Sequence, residues 1–247
     1  MPVKAAMNRL IASLFLLLAL PLAAQESSES AESSESAEDK PLTTPTQRVA
    51  ESDYVVLAQL HIYKYEKKRE IPVSGDSWFD VLVPYKVPMP VERIKVVEEG
   101  FGEGKCYFED AELFNEMPRY LLFLVDYPEG DAGEVRGHPD GCALPVVTTS
   151  DNRYAVRWPI ENMRFDADVE SLVEEFEFVG PGAVIDLSDL VGYRREEEIE
   201  RLDLVKAEDD RGRREIYRYT KGIPLGVFRE ELIGSENLTQ DRVQRGD

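Results

Sequence analysis

The chain has 247 residues, 43% of them apolar, with 29 Lys and Arg against 49 Asp and Glu, giving a formal charge of -20 and an isoelectric point near 4.6. The apolar share suffices for a packed core in one domain with appendages or in two small ones, and it excludes a wholly disordered protein. The acidic balance argues against a duplex-DNA binder, whose affinity comes from neutralising phosphates with Lys and Arg.

Lys4 and Arg9 precede the apolar run from Leu10 to Leu20, which Pro21 breaks before the small pair Ala23 and Ala24. This is the layout of a secretory signal peptide over residues 1–24, and the run is shorter than the roughly 20 residues that cross a bilayer. The expectation is a cleaved segment, a periplasmic or secreted destination, and no stable membrane insertion of the mature chain. Residues 26–37 then write one Glu/Ser/Ala hexapeptide twice. No side chain there can join a core, so residues 25–50, including Pro41 and Pro45, read as a disordered acidic linker.

From 51 to 160 the texture is that of strands. Tyr54, Val56, Ala58, Leu60 and Ile62 alternate onto one face, with Gln59, His61, Tyr63 and Tyr65 on the other, which predicts a half-buried strand. Phe79, Val81, Val83 and Tyr85 predict a second, and Ile94 with Val96 a third. Glu109 to Met117 predicts a short helix behind Asp110, ended by Pro118. Arg119 to Tyr127 is apolar on both faces, as for a central strand. Cys142 to Thr148 and Arg153 to Trp158 complete six. Three strands, a helix, then two or more strands is the order of a small Greek-key barrel of the OB type, a mainly β fold.

Val55-Val56-Leu57-Ala58, Val81-Leu82-Val83-Pro84-Tyr85-Lys86, Cys106, Arg119-Tyr120-Leu121-Leu122-Phe123-Leu124 and Cys142 together resemble the netrin/TIMP-like OB module. The resemblance spans residues 51 to 148 and implies a barrel whose loops are pinned by Cys residues. The Cys-x-Cys with which tissue inhibitors of metalloproteinases reach the protease zinc is absent, so that activity is not implied. Two cysteines in an exported chain most simply form one disulfide, Cys106 to Cys142. The alternative is two free thiols, and a thiol nucleophile would need a His. His138 lies in His138-Pro139-Asp140-Gly141, the composition of a tight turn.

Residues 161–247, with 23 acidic against 13 basic side chains, read as an acidic, partly flexible α/β extension. Val169, Leu172, Val173 and Phe176 predict a helix behind Asp166 and Asp168. Leu187, Leu190, Val191, Ile199 and Leu202 suggest a second from about Ser188. Ile216 to Tyr219 and Leu225 to Phe228 suggest a hairpin around Gly222-Ile223-Pro224.

The site candidates are few. Asp166, Asp168, Glu170, Glu174 and Glu177 fall at positions 1, 3, 5, 9 and 12 of an EF-hand-like count, although Ser171 stands where that loop needs Gly. With two His and no second Cys pair the composition argues against a zinc site of His and Cys type, and no nucleophile elbow, P-loop or dinucleotide fingerprint occurs. Tyr63, Tyr65 and Trp78 are the aromatic residues that could share a binding face or rim; the alternative is that they only cover the barrel. These features predict an exported, non-enzymatic binding module without cofactor, engaging a protein or glycan of the cell envelope and no nucleic acid. The alternatives are a small envelope hydrolase working with carboxylates and an acidic calcium-binding protein.

Overall fold

A computed structural model describes residues 41–100, 105–108, 116–130, 133–166, 168–207 and 214–238. The expected signal peptide, residues 25–40 and residues 109–115 of the helix expected from Glu109 to Met117 lie outside them. Pro41–Asp247 forms one compact unit.

It begins with helix α1, Pro45–Glu51, inside the stretch assigned above to the linker. Thr44 accepts a hydrogen bond from the Gln47 amide while the Gln47 side chain accepts one from the Thr44 amide, and Pro45 sits in the first turn. That capping box with an N-terminal Pro stabilises a short helix whose buried residues are Pro45, Arg48 and Val49. Residues 45–50, expected to belong to the linker, are thus helical.

Five strands close the barrel: β1 (Tyr54–Lys68), β2 (Ile71–Lys86), β3 (Arg93–Glu99), β4 (Arg119–Asp126) and β5 (Glu134–Gly137). β1 pairs with β2, β2 with β3, β3 with β5 in parallel, β5 with β4, and β4 back with β1. This is the closed OB-type order, and the closing strand β5 is one the sequence reading did not find. Inside sit Tyr54, Val56, Ala58, Leu60, Phe79, Ile94, Val96, Leu122, Leu124 and Val135. Cys106 and Cys142 are joined, with Cα atoms 6.0 Å apart, and lie against this core. A Cβ on Gly137 would come within 2.7 Å of both Cβ and Sγ of Cys106, so only glycine lets β5 pass under the disulfide.

β4 carries a second set of apolar residues on its other face, as its two-sided pattern requires. β6 (Ala143–Thr149) pairs with β4, and β7 (Tyr154–Arg157) pairs with β6. These were the fifth and sixth expected strands, and they extend the sheet beyond the barrel. A 3-10 turn, Val169–Leu172, and two-residue strands β8 (Glu174–Glu175) and β9 (Phe178–Val179) stand where one helix was expected. Strand β10 (Val184–Asp186), helix α2 (Tyr193–Leu202), and strands β11 (Val205–Lys206) and β12 (Ile216–Arg218) follow, with β10, β12 and β11 forming a small antiparallel sheet. α2 starts five residues later than expected and contains the charge run Arg194 to Glu198.

Strand β13 (Lys221–Pro224) pairs with β7 and β8 rather than with β12. It leads into helix α3, Leu225–Val227 continuing as a π-helical Phe228–Ile233, so the expected hairpin is not formed. Ile223, Leu225, Phe228, Leu232 and Ile233 pack with Val49, Val55, Leu57, Leu121, Phe123, Leu144, Val146 and Val156 in one core. The region after residue 160 is thus part of the same folded body. Among the described residues, no helix is long and apolar enough to cross a membrane.

Candidate binding face

β1 and β2 are 15 and 16 residues long and form a hairpin that outruns the barrel. β1 pairs with β4 only as far as Gln59, and β2 pairs with β3 only from Asp80 to Ser74. The phase of β1 changes on the way out. Leu60 lies opposite Phe79 and Ile62 opposite Trp78, which leaves His61 as an extra residue on β1. A one-residue bulge moves every later side chain to the other face. Ile62, expected on the inner face, therefore shares the outer face with Lys64 and Trp78, and Tyr63 and Tyr65 turn inward.

The three aromatic residues proposed as one face are accordingly split. Tyr63 and Tyr65 stack at 4.8 Å, and Tyr107 meets Tyr65 edge-on at 5.0 Å. The Tyr65 hydroxyl accepts a bond from the Phe108 amide at 2.9 Å, and burial raises its pKa. Beside them buried Glu98 accepts a 2.7 Å bond from the Cys106 amide. These groups seal the end of the barrel at the disulfide and offer little free surface to a ligand.

Trp78 faces outward from the centre of the hairpin. Lys64 Nζ stands 5.6 Å from its ring centroid and Lys95 Nζ 5.7 Å, both within cation-π range. Lys95 also reaches Glu134 at 2.6 Å and Asp76 at 3.2 Å; the bond to Glu134 is the first cause of its raised pKa. Along the same face Arg93 donates through Nε and Nη2 to Asp80 Oδ1 at 2.8 and 2.7 Å. Arg93, and behind it His61 at 3.1 Å, hold the Asp80 carboxyl below its ordinary range. Arg136 covers the Tyr127 ring at 3.7 Å and bonds Glu99 at 3.3 Å. The barrel thus presents a sheet face of paired charges with a half-buried indole between two cations. A planar ring flanked this way offers both an apolar platform and ionic contacts at its rim.

Lys64, Lys95 and Ile62 were missed by the sequence reading. The run Lys64 to Arg69, with four basic residues in six, was a visible signal in so acidic a chain, whereas Lys95 reaches Trp78 only through the pairing of β2 with β3.

No family model, curated protein or solved structure matches the chain.

Catalytic arrangements find little support in the geometry. Both cysteines are in the disulfide. Among the described residues neither His bonds a hydroxyl: His61 meets Asp80, and buried His138 accepts a bond from the Asp140 amide on Nδ1 and faces Glu51 through Nε2 at 3.4 Å. A cleft of about 420 Å³ is lined by Trp158, Glu170, Val173, Glu174, Glu175 and Lys221. Of the carboxylates considered for calcium, Glu170 and Glu174 line it while Asp166, Asp168 and Glu177 do not. The 3-10 turn and strand that replace the expected helix spread these side chains, and among the described residues no three metal-binding groups converge.

Proposed function

We propose that the protein is an exported, non-enzymatic binding module that engages a protein or glycan of the cell envelope across the outer face of the β1–β2 hairpin. The observation that carries this reading is Trp78, held on an open sheet face between Lys64 and Lys95. OB barrels commonly bind on the face of their second and third strands and the adjoining loops, and Trp78 and Lys95 lie on those two strands. Export is supported by the residue 1–24 pattern alone. Likeness to the netrin/TIMP-like module is proposed on the same footing, supported by the strand order and the disulfide.

Affinity capture from an envelope extract tests the reading. Aromatic anchors in interfaces carry a large share of the binding energy, so Trp78→Ala should weaken capture at least tenfold. Tyr63→Phe should leave it unchanged, because that ring faces inward. Full capture by a folded Trp78→Ala protein would show that the partner sits elsewhere.

A further inference from the structure

Resting on the reading of this hairpin as the binding face, we infer that its outer side docks on an anionic phospholipid surface. Three observations converge. The chain carries a charge of -20, yet four of the six residues from Lys64 to Arg69 are basic. Lys64, Lys67, Lys68 and Arg69 form no ion pair among the described residues, and Lys64 stands over the Trp78 ring. Of the carboxylates facing the hairpin, Asp76 and Glu134 share Lys95, Asp80 holds Arg93 and His61, and Glu98 and Glu99 on β3 meet Lys105 and Arg136. Glu66, bonded only by the neutral Ser74 hydroxyl, and Glu70 stand against Lys64, Lys67, Lys68 and Arg69, so the surplus at the tip is two positive charges.

Apolar side chains lie among these cations. Ile62 is 44% exposed opposite Trp78, and Ile71 is 58% exposed opposite Lys68, at the very end of the hairpin. A sulfated glycan would use the lysines but would gain little from Ile71. A bilayer uses all three kinds: basic heads at the phosphates, the indole at the interface, and aliphatic groups in the acyl boundary.

Backbone and reach agree with this. Arg69 and Glu70 have φ of +50° and +66°, a two-residue turn in which glycine or asparagine would relieve strain. The chain keeps one cation and one carboxylate at the apex in spite of that cost. β3 accompanies β2 as far as Ser74, which lies opposite Glu66, so Lys67 to Pro72 are the part of the hairpin that reaches past the sheet.

The test is sedimentation with vesicles of phosphatidylcholine containing phosphatidylglycerol, against phosphatidylcholine alone. The chain is used without residues 1–24, whose apolar run would itself enter a bilayer. The expected result is binding to the anionic vesicles only, weakened by added salt. The triple variant K67A/K68A/R69A should lower the partition on the order of a hundredfold, near fivefold per cation. Ile71→Ser should lower it severalfold at unchanged melting temperature, since the side chain is exposed. In a Trp158→Phe background, Trp78 emission should shift to the blue on vesicle addition. Equal binding to neutral vesicles, or an unaffected triple variant, would overturn the inference. Binding to a sulfated-glycan matrix but not to vesicles would assign the face to a polyanionic glycan instead. Absence of vesicle binding with Trp78-dependent capture intact would remove the lipid and leave the binding face standing, and loss of both would remove the binding face as well.

Discussion

At Arg48 a guanidinium with no exposed surface donates to the Thr43 hydroxyl and to the carbonyls of Gly141 and Asn162. Burial pulls its pKa down to about 10, opposed by the nearby carboxylates of Asp140 and Glu51. Gly141, at φ +119°, leaves the room, since a Cβ there would stand 2.8 Å from Arg48 Nη1. Removing water from a charge is costly unless each donor is satisfied, so this side chain fixes α1 to the turn after β5 and to the segment after β7. His138 shares the site, and burial, then the charge of Arg48, hold its pKa below the ordinary 6.5. Folding therefore favours the neutral ring. Its contribution is fully present above the unfolded value and is lost as pH falls towards the lowered folded value. Melting temperatures measured between about pH 7 and pH 5 should fall less steeply for His138→Gln than for the parent protein, and identical slopes would mean that His138 titrates freely in the fold.

Among the elements, β5 and the disulfide act as one unit. Four residues make the parallel contact with β3 and the antiparallel contact with β4 that together close the barrel. The cross-link from Cys106 to Cys142, 36 residues apart, encloses β4 and β5, so it restricts the unfolded state of the segment with the weakest local signal. In the chain-entropy model, Cys106→Ser with Cys142→Ser should lower unfolding free energy by about 3–4 kcal/mol in urea titration. A loss near zero would mean that the barrel closes without the bridge. The long hairpin is different: β3 supports β2 as far as Ser74, while the outer half of β1 beyond Gln59 has β2 as its strand partner, with Trp78 and its two lysines adding cross-strand contacts.

For the whole molecule, the consequence of the shared core is that the chain after residue 160 is needed for the barrel. β1 and β4 are covered by the barrel interior on one side and by α1 and α3 on the other. Phe228 has no exposed surface and sits in that second core. Phe228→Ala should cost about 3–5 kcal/mol and melt barrel and C-terminal region in a single transition, followed by near-ultraviolet circular dichroism. Two separated transitions in the parent protein would instead indicate an independent C-terminal domain.

The sequence alone determined the mainly β class, the two-sided burial of β4, the alternation of Tyr54 to Leu60, the Cys106–Cys142 pairing and the turn after His138. Each is reported by residue type or by a period sustained over several neighbours, which sterics and burial impose locally. It also contained the Thr44-Pro45-Thr46-Gln47 cap, legible but passed over beside the Ser/Glu repeat. Only the tertiary structure decided the closing strand, since the four residues of β5 are too few to show a period. It also decided the course of residues 169–179 and 221–233, where packing against β7 and β6 outweighs helical or hairpin spacing. Most consequential for the candidate site, a single extra residue at His61 inverts the phase of the outer hairpin, turning Tyr63 and Tyr65 inward and leaving Trp78 between Lys64 and Lys95. Periodicity read along one strand carries no record of its partner's register, and it is the pairing of two strands that fixes which side chains meet.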